Sequence, residues 1–290
     1  MNLESITFRF KLLTPCFSGT ALGKHGDAEM RVPPIRGHIR FWHRVLFGAD
    51  DCNRVWGCAS GKQGSASKVA VRLLGDGKVS SQEYDILPHK SKKSGSGSAI
   101  SPGQEFEFEL QRLVGCAEPE WEKARKAAKL WLLLGSLGLR SNRAAGSVWP
   151  MESWTPKTKD ELAKTLINLG LKKYSVALIG ENSEERYEEL RAIASNTIRD
   201  SDTTRDSDTI RDKAHSHIFG SMSPRKPSPT KFKVIELNNG LCLLALAPQE
   251  VILGSDGNKK LILEEAEKLL NNKPNSKRWR DLGKWDYIVK

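Results

Sequence analysis

EFEFELQRLVGCAEPEWEKARKAAKLWLLLGSLGLRSNRAAGSVWP, residues 105–150, holds three patterns in succession. From Glu105 to Leu113 apolar and polar side chains alternate, the period of a half-buried strand. From Glu118 to Leu134 the chain reads as a helix, with acids at its start and bases further on, as the helix dipole favours. From Leu134 to Pro150 it is small, glycine-punctuated and basic: Gly135, Gly138, Gly146, Arg140 and Arg143, with no acid. Glycine lets a backbone come close to something and aim its N–H groups at it. Arginine beside such glycines predicts that the something is anionic. The loop lacks Gly-Lys-Ser/Thr, so it is no P-loop. Its glycines follow a helix and not a strand, which argues against a dinucleotide fingerprint.

Working outward, Ile6–Pro15 alternates and stops at a proline, a further strand. A glycine-rich loop leads to a helix from about Arg36 to Gly48. Lys68–Gly75 reads as a strand. His89–Gln104 is basic and then Gly/Ser-rich, the composition of a mobile connection. The second half carries a helix in KDELAKTLINLG closed by Gly170, a strand at Tyr174–Gly180 and a helix in SEERYEELRAIASN. TKFKVIEL and GLCLLALAP follow as strands around the turn NNG, and KLILEEAEKLLNN is a final helix. This order predicts an α+β fold of two tandem ferredoxin-like domains, residues 1–150 and 151–290, with antiparallel sheets and helices on one face. Tandem hexads from Thr197 to Ala214 (TIRDSD, TTRDSD, TIRDKA) read as an exposed insertion near residues 197–214 in the second domain.

Lysine and arginine number 46 against 35 acids in 290 residues, a net charge of +11. That balance favours a polyanionic partner. No apolar run approaches the ~18 residues of a membrane helix, and the first residues show no secretory cleavage pattern; a cytoplasmic location is the expectation. Five cysteines at scattered spacings predict neither a disulfide framework nor a zinc site, leaving buried free thiols. His215 and His217 have no ligand-spaced neighbour, and no metal or cofactor is expected.

On a helical wheel of Arg36–Phe47, Ile39, Trp42, Val45 and Leu46 share one face, with Phe41 at its edge. Arg36, Arg40, His43 and Arg44 fall on the opposite arc with no acid among them. Surface helices usually mix both signs to gain i,i+4 pairs, so this arc predicts a phosphate partner. His38 falls on the apolar arc and is expected to be a packed residue.

TPCFSG (14–19), EMRVPPIRGHIRFWHRVLFG (29–48), GSLGLRSNRAAGSV (135–148) and SPRKPSP (223–229) together resemble the RAMP superfamily of CRISPR-associated proteins, and within it the first subunits of type III-B (Cmr) effector complexes. The family's helix motif falls on Gly37, Ile39, Arg40, Phe41 and Trp42. Its loop motif falls on Gly135 or Ser136, Gly138, Arg140, Arg143 and Gly146. Arg225–Pro229 resembles its later Arg-x-x-Ser-Pro element. The likeness spans about residues 6–247, and the hexads and the 89–104 segment have no counterpart in it.

The resemblance implies two RRM-like domains and a subunit that binds guide RNA and single-stranded target RNA beside other subunits of the effector complex. It implies no catalysis of its own, target cleavage belonging to a different, repeated subunit. On this reading RNA is met by Arg31, Arg36, Arg40, His43, Arg44, Gly138, Arg140, Ser141, Asn142, Arg143, Gly146, Arg225 and Lys226. Such contacts position a backbone without reading sequence. The alternating acids of EFEFEL make the open sheet face a poor RNA platform. Two alternatives stand beside it. One is a metal-independent endoribonuclease using His25 or His43 with a nearby cation. The other is a structural subunit whose basic loop faces a neighbouring protein.

Overall fold

In a computed structural model of the chain, the described residues are 4–19, 28–59, 64–75, 79–86, 95–179, 187–199, 218–222, 225–238, 240–253, 258–271 and 285–290. The first half runs β1 (Ser5–Leu12), α1 (Val32–Phe47), α2 (Ala49–Trp56), β2 (Val69–Leu74), β3 (Ser81–Asp85), β4 (Ser96–Ile100), β5 (Glu105–Arg112), α3 (Glu118–Leu134) and β6 (Val148–Pro150). The second runs α4 (Lys159–Asn168), β7 (Tyr174–Ile179), α5 (Tyr187–Arg199), β8 (Ser221–Met222), β9 (Arg225–Lys226), β10 (Lys231–Leu237), β11 (Gly240–Pro248), β12 (Val251–Leu253), β13 (Lys259–Leu261), α6 (Ile262–Asn271) and β14 (Trp285–Val289).

The two main sheets are ordered β2-β5-β1-β6 and β10-β11-β7-β14. Every pairing in them is antiparallel. Each places its own first to fourth strands in the order 4-1-3-2, the split βαβ plan of a ferredoxin-like domain. The α+β expectation of two tandem ferredoxin-like domains therefore holds. No described helix is long and apolar enough to cross a membrane.

The alternation of residues 105–110 explains the first sheet. Phe106, Phe108 and Leu110 are buried, and Phe8 stacks on Phe108 with ring centroids 5.3 Å apart. Trp131 of α3 meets Phe10 and Phe108 edge-on. On the other face Glu105, Glu107 and Glu109 stand opposite Lys11, Arg9 and Thr7 of β1, and Arg72 of β2 stands opposite Glu109. Those cross-strand charges answer one another, and the acid row repels a polyanion.

Four local expectations change. Helix α1 starts at Val32, four residues before Arg36, because Pro33 and Pro34 occupy its first turn, where a missing N–H costs nothing. Helix α2 follows at once from Gly48. The Gly/Ser-rich segment contains β4, paired with β3 from Ser81↔Ile100 to Asp85↔Ser96; Ala99 and Ile100 are fully buried and hold it down. The C-terminal WDYIV forms β14 on the edge of the second sheet beside β7. All five cysteines are free, and Cys16, Cys52, Cys116 and Cys242 are buried. Most of the hexads, and His215 and His217, lie outside the described residues.

The domains meet along a polar seam. Lys233 of β10 is 1% exposed. Its Nζ donates to the Leu132 carbonyl of α3 at 2.8 Å and lies 5.6 Å from the Trp149 ring centroid. Leu132 is in the last turn of α3, whose carbonyls lack helical partners, so the second domain caps a helix of the first. Burial holds the Lys233 ammonium pKa well below its usual value. Lys11 pairs with Glu236 at 2.7 Å, Trp42 packs on Tyr174, and Arg191 of α5 donates to the Asp85 carbonyl at 3.1 Å.

Candidate nucleic-acid interface

Helix α3 ends where the Gly135 N–H bonds the Trp131 carbonyl. The loop then doubles back and is closed at its neck by Leu137 N–H to the Gly146 carbonyl, 2.8 Å. Gly146 has φ +59°, and a Cβ there would lie 2.0 Å from the Leu137 oxygen. Gly138 has φ +79°, and a Cβ there would lie 2.7 Å from the Phe17 oxygen. The Leu139 N–H bonds that same Phe17 oxygen at 3.0 Å, and the Gly146 N–H bonds Pro15. Thr14 Oγ1 donates to the Ala144 carbonyl and accepts from the Ser147 N–H. The glycines thus bring the loop against its own chain. Gly138 and Gly146 are corrected from ligand contacts to closure points.

The outer side of the loop is spent on the second domain. Ala144 N–H bonds the Phe232 carbonyl and Phe232 N–H bonds the Asn142 carbonyl, both at 3.1 Å. Arg143 and Ala145 donate to the Arg140 carbonyl. The N–H groups of 137, 139 and 143–147 are therefore engaged inside the protein, and the expected backbone cradle for phosphate is not built from them. What the loop offers outward is side chains. Leu139 is 66% exposed. Arg140 is exposed, at φ +60°. Ser141, Asn142 and Arg143 are half-buried beside them. A non-glycine residue at such a φ is uncommon and strained, and here it is an arginine held out at the tip.

The basic arc of α1 is corrected more sharply. Helix α2 lies against it. Arg36 donates to the Trp56 carbonyl at 2.7 Å and Arg40 to the Gly57 carbonyl at 3.0 Å. Both guanidinium groups sit on the carbonyl end of α2, where its dipole is negative. These partners are main-chain carbonyls and not acids, which is why the two arginines looked unpaired in sequence. His43 is fully buried. Its Nδ1 accepts from Trp56 Nε1 and its Nε2 donates to Asp51, each at 3.0 Å. This fixes one neutral tautomer, so His43 is neither an RNA contact nor a general base. Burial lowers its pKa against the pull of Asp51. Burial raises the Asp51 pKa, but Lys123, His43 and Arg54 outweigh this and bring it to about 2. Only Arg44 of the arc is exposed.

Topology gathers what remains. The end of β1, the start of α1 and the end of α3 lie at one end of the first domain, so Arg31, the Thr14–Gly19 segment and the loop tip share that end. Arg225 and Lys226 form β9, a few residues before the Phe232 that pairs with the loop. His25 lies outside the described residues. Beside the loop tip a small cleft opens on the seam, lined by His38, Phe41 and Trp42 of α1, Leu134–Ser136, Ser141, Asn142, and Lys231, Phe232 and Leu246 of the second domain. Sequence reasoning passed over Lys231 and Lys233, although two lysines in a largely apolar strand are a signal in themselves.

His38 lines that cleft, and burial, aided by Lys231, lowers its pKa from 6.5 to about 4. Above pH 6.5 the ring is neutral whether the chain is folded or not. As pH falls from there toward 4, the unfolded chain takes up a proton that the folded one refuses, and stability drops. The gap corresponds to about 3 kcal/mol lost by pH 4. Urea unfolding at pH 7.0 and 4.5 should show this loss in the wild type and a smaller one in His38→Gln. Equal losses would place its origin elsewhere.

Residues 9–149 match the model of the RAMP superfamily. The match falls within the first half of the chain. The RAMP match runs from the middle of β1 through the loop neck and most of β6, the elements just described. The chain is similar in structure to Cmr1 from Pyrococcus furiosus in its apo form, with TM-score 0.61 and 19% identity over 90% of this chain and 93% of that one. It is also similar to a chain of the type III-B Cmr-beta complex bound to cognate target RNA and AMPPnP in the presence of ssDNA, with TM-score 0.53 and 13% identity over 92% and 100%. Both likenesses concern the fold, and both extend through the second domain. Among curated protein sequences nothing matches the chain.

Proposed function

We propose that this RAMP protein is a non-catalytic, RNA-binding subunit of a type III-B CRISPR effector complex in the cytoplasm, where it holds the guide–target backbone. The observation that carries the reading is the loop tip. The N–H groups on either side of it are engaged within the protein, while Arg140 is projected outward in a strained conformation beside Arg143 and Asn142. An outward guanidinium suits a phosphate. The tandem fold shared with Cmr complex chains supports the setting. The buried, doubly bonded His43 weighs against the nuclease alternative.

The test is a salt series with end-labelled single-stranded RNA, each sample divided between a native and a denaturing gel. The expected result is a shift that weakens with salt while the RNA stays intact. Two arginine contacts predict a log–log slope of at least ~1.4, at ~0.7 per phosphate. Cleavage without added metal would overturn the non-catalytic reading. A chain that assembles with partner subunits yet shifts no RNA, alone or in complex, would favour a basic surface that faces protein.

A further inference from the structure

The cleft on the domain seam holds a cation that the loop tip does not account for. Lys231, the first residue of β10, is half-buried in its wall with Nζ 4.4 Å from the Phe41 ring centroid. Among the described residues no carboxylate pairs with it. Burial lowers its pKa. A partly desolvated cation without a counter-ion is costly, and an anion entering the cleft offsets that cost.

The rest of the lining suits the same ligand. His38, Ser136, Ser141 and Asn142 supply an imidazole, two hydroxyls and an amide, and among the described residues no acid lines the cleft. The aromatic walls are already used, Phe41 by the Lys231 ammonium and Trp42 by Tyr174. The cleft therefore offers charge and hydrogen bonds more than an open ring face, which fits a phosphate better than a base. Ser141 and Asn142 belong both to the loop tip and to the cleft.

We infer that this cleft seats one phosphate group of the bound RNA on Lys231, with Ser141 and Asn142 as hydrogen-bond donors. The strand then passes from Arg140 on the RAMP domain across the seam, and the second domain contributes a contact of its own. The inference rests on the proposed RNA binding by the loop.

The test compares wild type, Lys231→Met and Lys231→Arg in the single-stranded RNA salt series, with melting temperatures measured with and without inorganic phosphate. The expected result is a several-fold weaker Lys231→Met complex whose log–log slope is lower by about 0.7, with both restored in Lys231→Arg. Wild-type affinity and slope in Lys231→Met would overturn the inference and leave the loop reading standing, even if the melting temperature moved. Absence of any wild-type shift would overturn the loop reading and this inference together. If inorganic phosphate raised the melting temperature only when Lys231 is present, while the RNA slope did not change, the cleft would be a site for free phosphate and not for RNA.

Discussion

Gly146→Ala should open the neck of the 135–147 loop and lower stability by about 3 kcal/mol or more, a fall in Tm of roughly 6 °C or more. The new Cβ would lie 2.0 Å from the backbone oxygen of Leu137. No rotamer relieves a clash with backbone, and φ +59° adds strain. The neck hydrogen bond from Leu137 and the bond from Gly146 to Pro15 would both be lost. Gly170→Ala is the control: its φ is +88°, but nothing lies within 4 Å of the new Cβ, so only about 1 kcal/mol is expected. Thermal unfolding of the two variants measures the contrast. Equal, small losses would mean that the loop closes differently. Because the tip hangs on this neck, Gly146→Ala should also weaken RNA binding.

The second large effect is on binding. Arg140→Glu combined with Arg143→Glu should weaken single-stranded RNA binding by roughly a hundredfold or more, taking at least about 1.5 kcal/mol for each charge-assisted contact. The salt slope should fall by about 1.4. Arg140→Glu alone should leave Tm nearly unchanged, because its side chain is exposed. Gel shifts across the salt series and parallel melts separate the two quantities. A double variant with unaltered RNA affinity would remove the loop from the RNA path.

Residues whose neighbours along the chain decide their fate were legible. The alternation at 105–112 and the charge gradient at 118–134 gave β5 and α3 within a residue of their observed ends. Arg140 and Arg143 stood out because nothing acidic follows them, and Arg140 is indeed held outward. The α1 arc misled because its partner is the carbonyl end of an eight-residue helix, and main-chain dipoles leave no trace in composition. Gly138 and Gly146 misled in a related way. A glycine signals close approach, but its identity does not say whether the other party is ligand or chain. Strand β4 hid behind serine and glycine because only Ala99 and Ile100 anchor it. Lys231 and Lys233 were overlooked because the positions of a helix end and a seam are tertiary facts.

The Lys233 cap also sets an order of events during synthesis. The acceptor, Leu132, and the loop that follows it are made well before the lysine and the strand that complete them. From residue 147 to residue 232 the ribosome needs roughly 4–17 s at ~5–20 residues per second. For that interval the nascent first half carries an uncapped helix end and a loop without its β10 neighbour. Its closure by β10 marks the moment at which the cationic end of the molecule acquires its final shape.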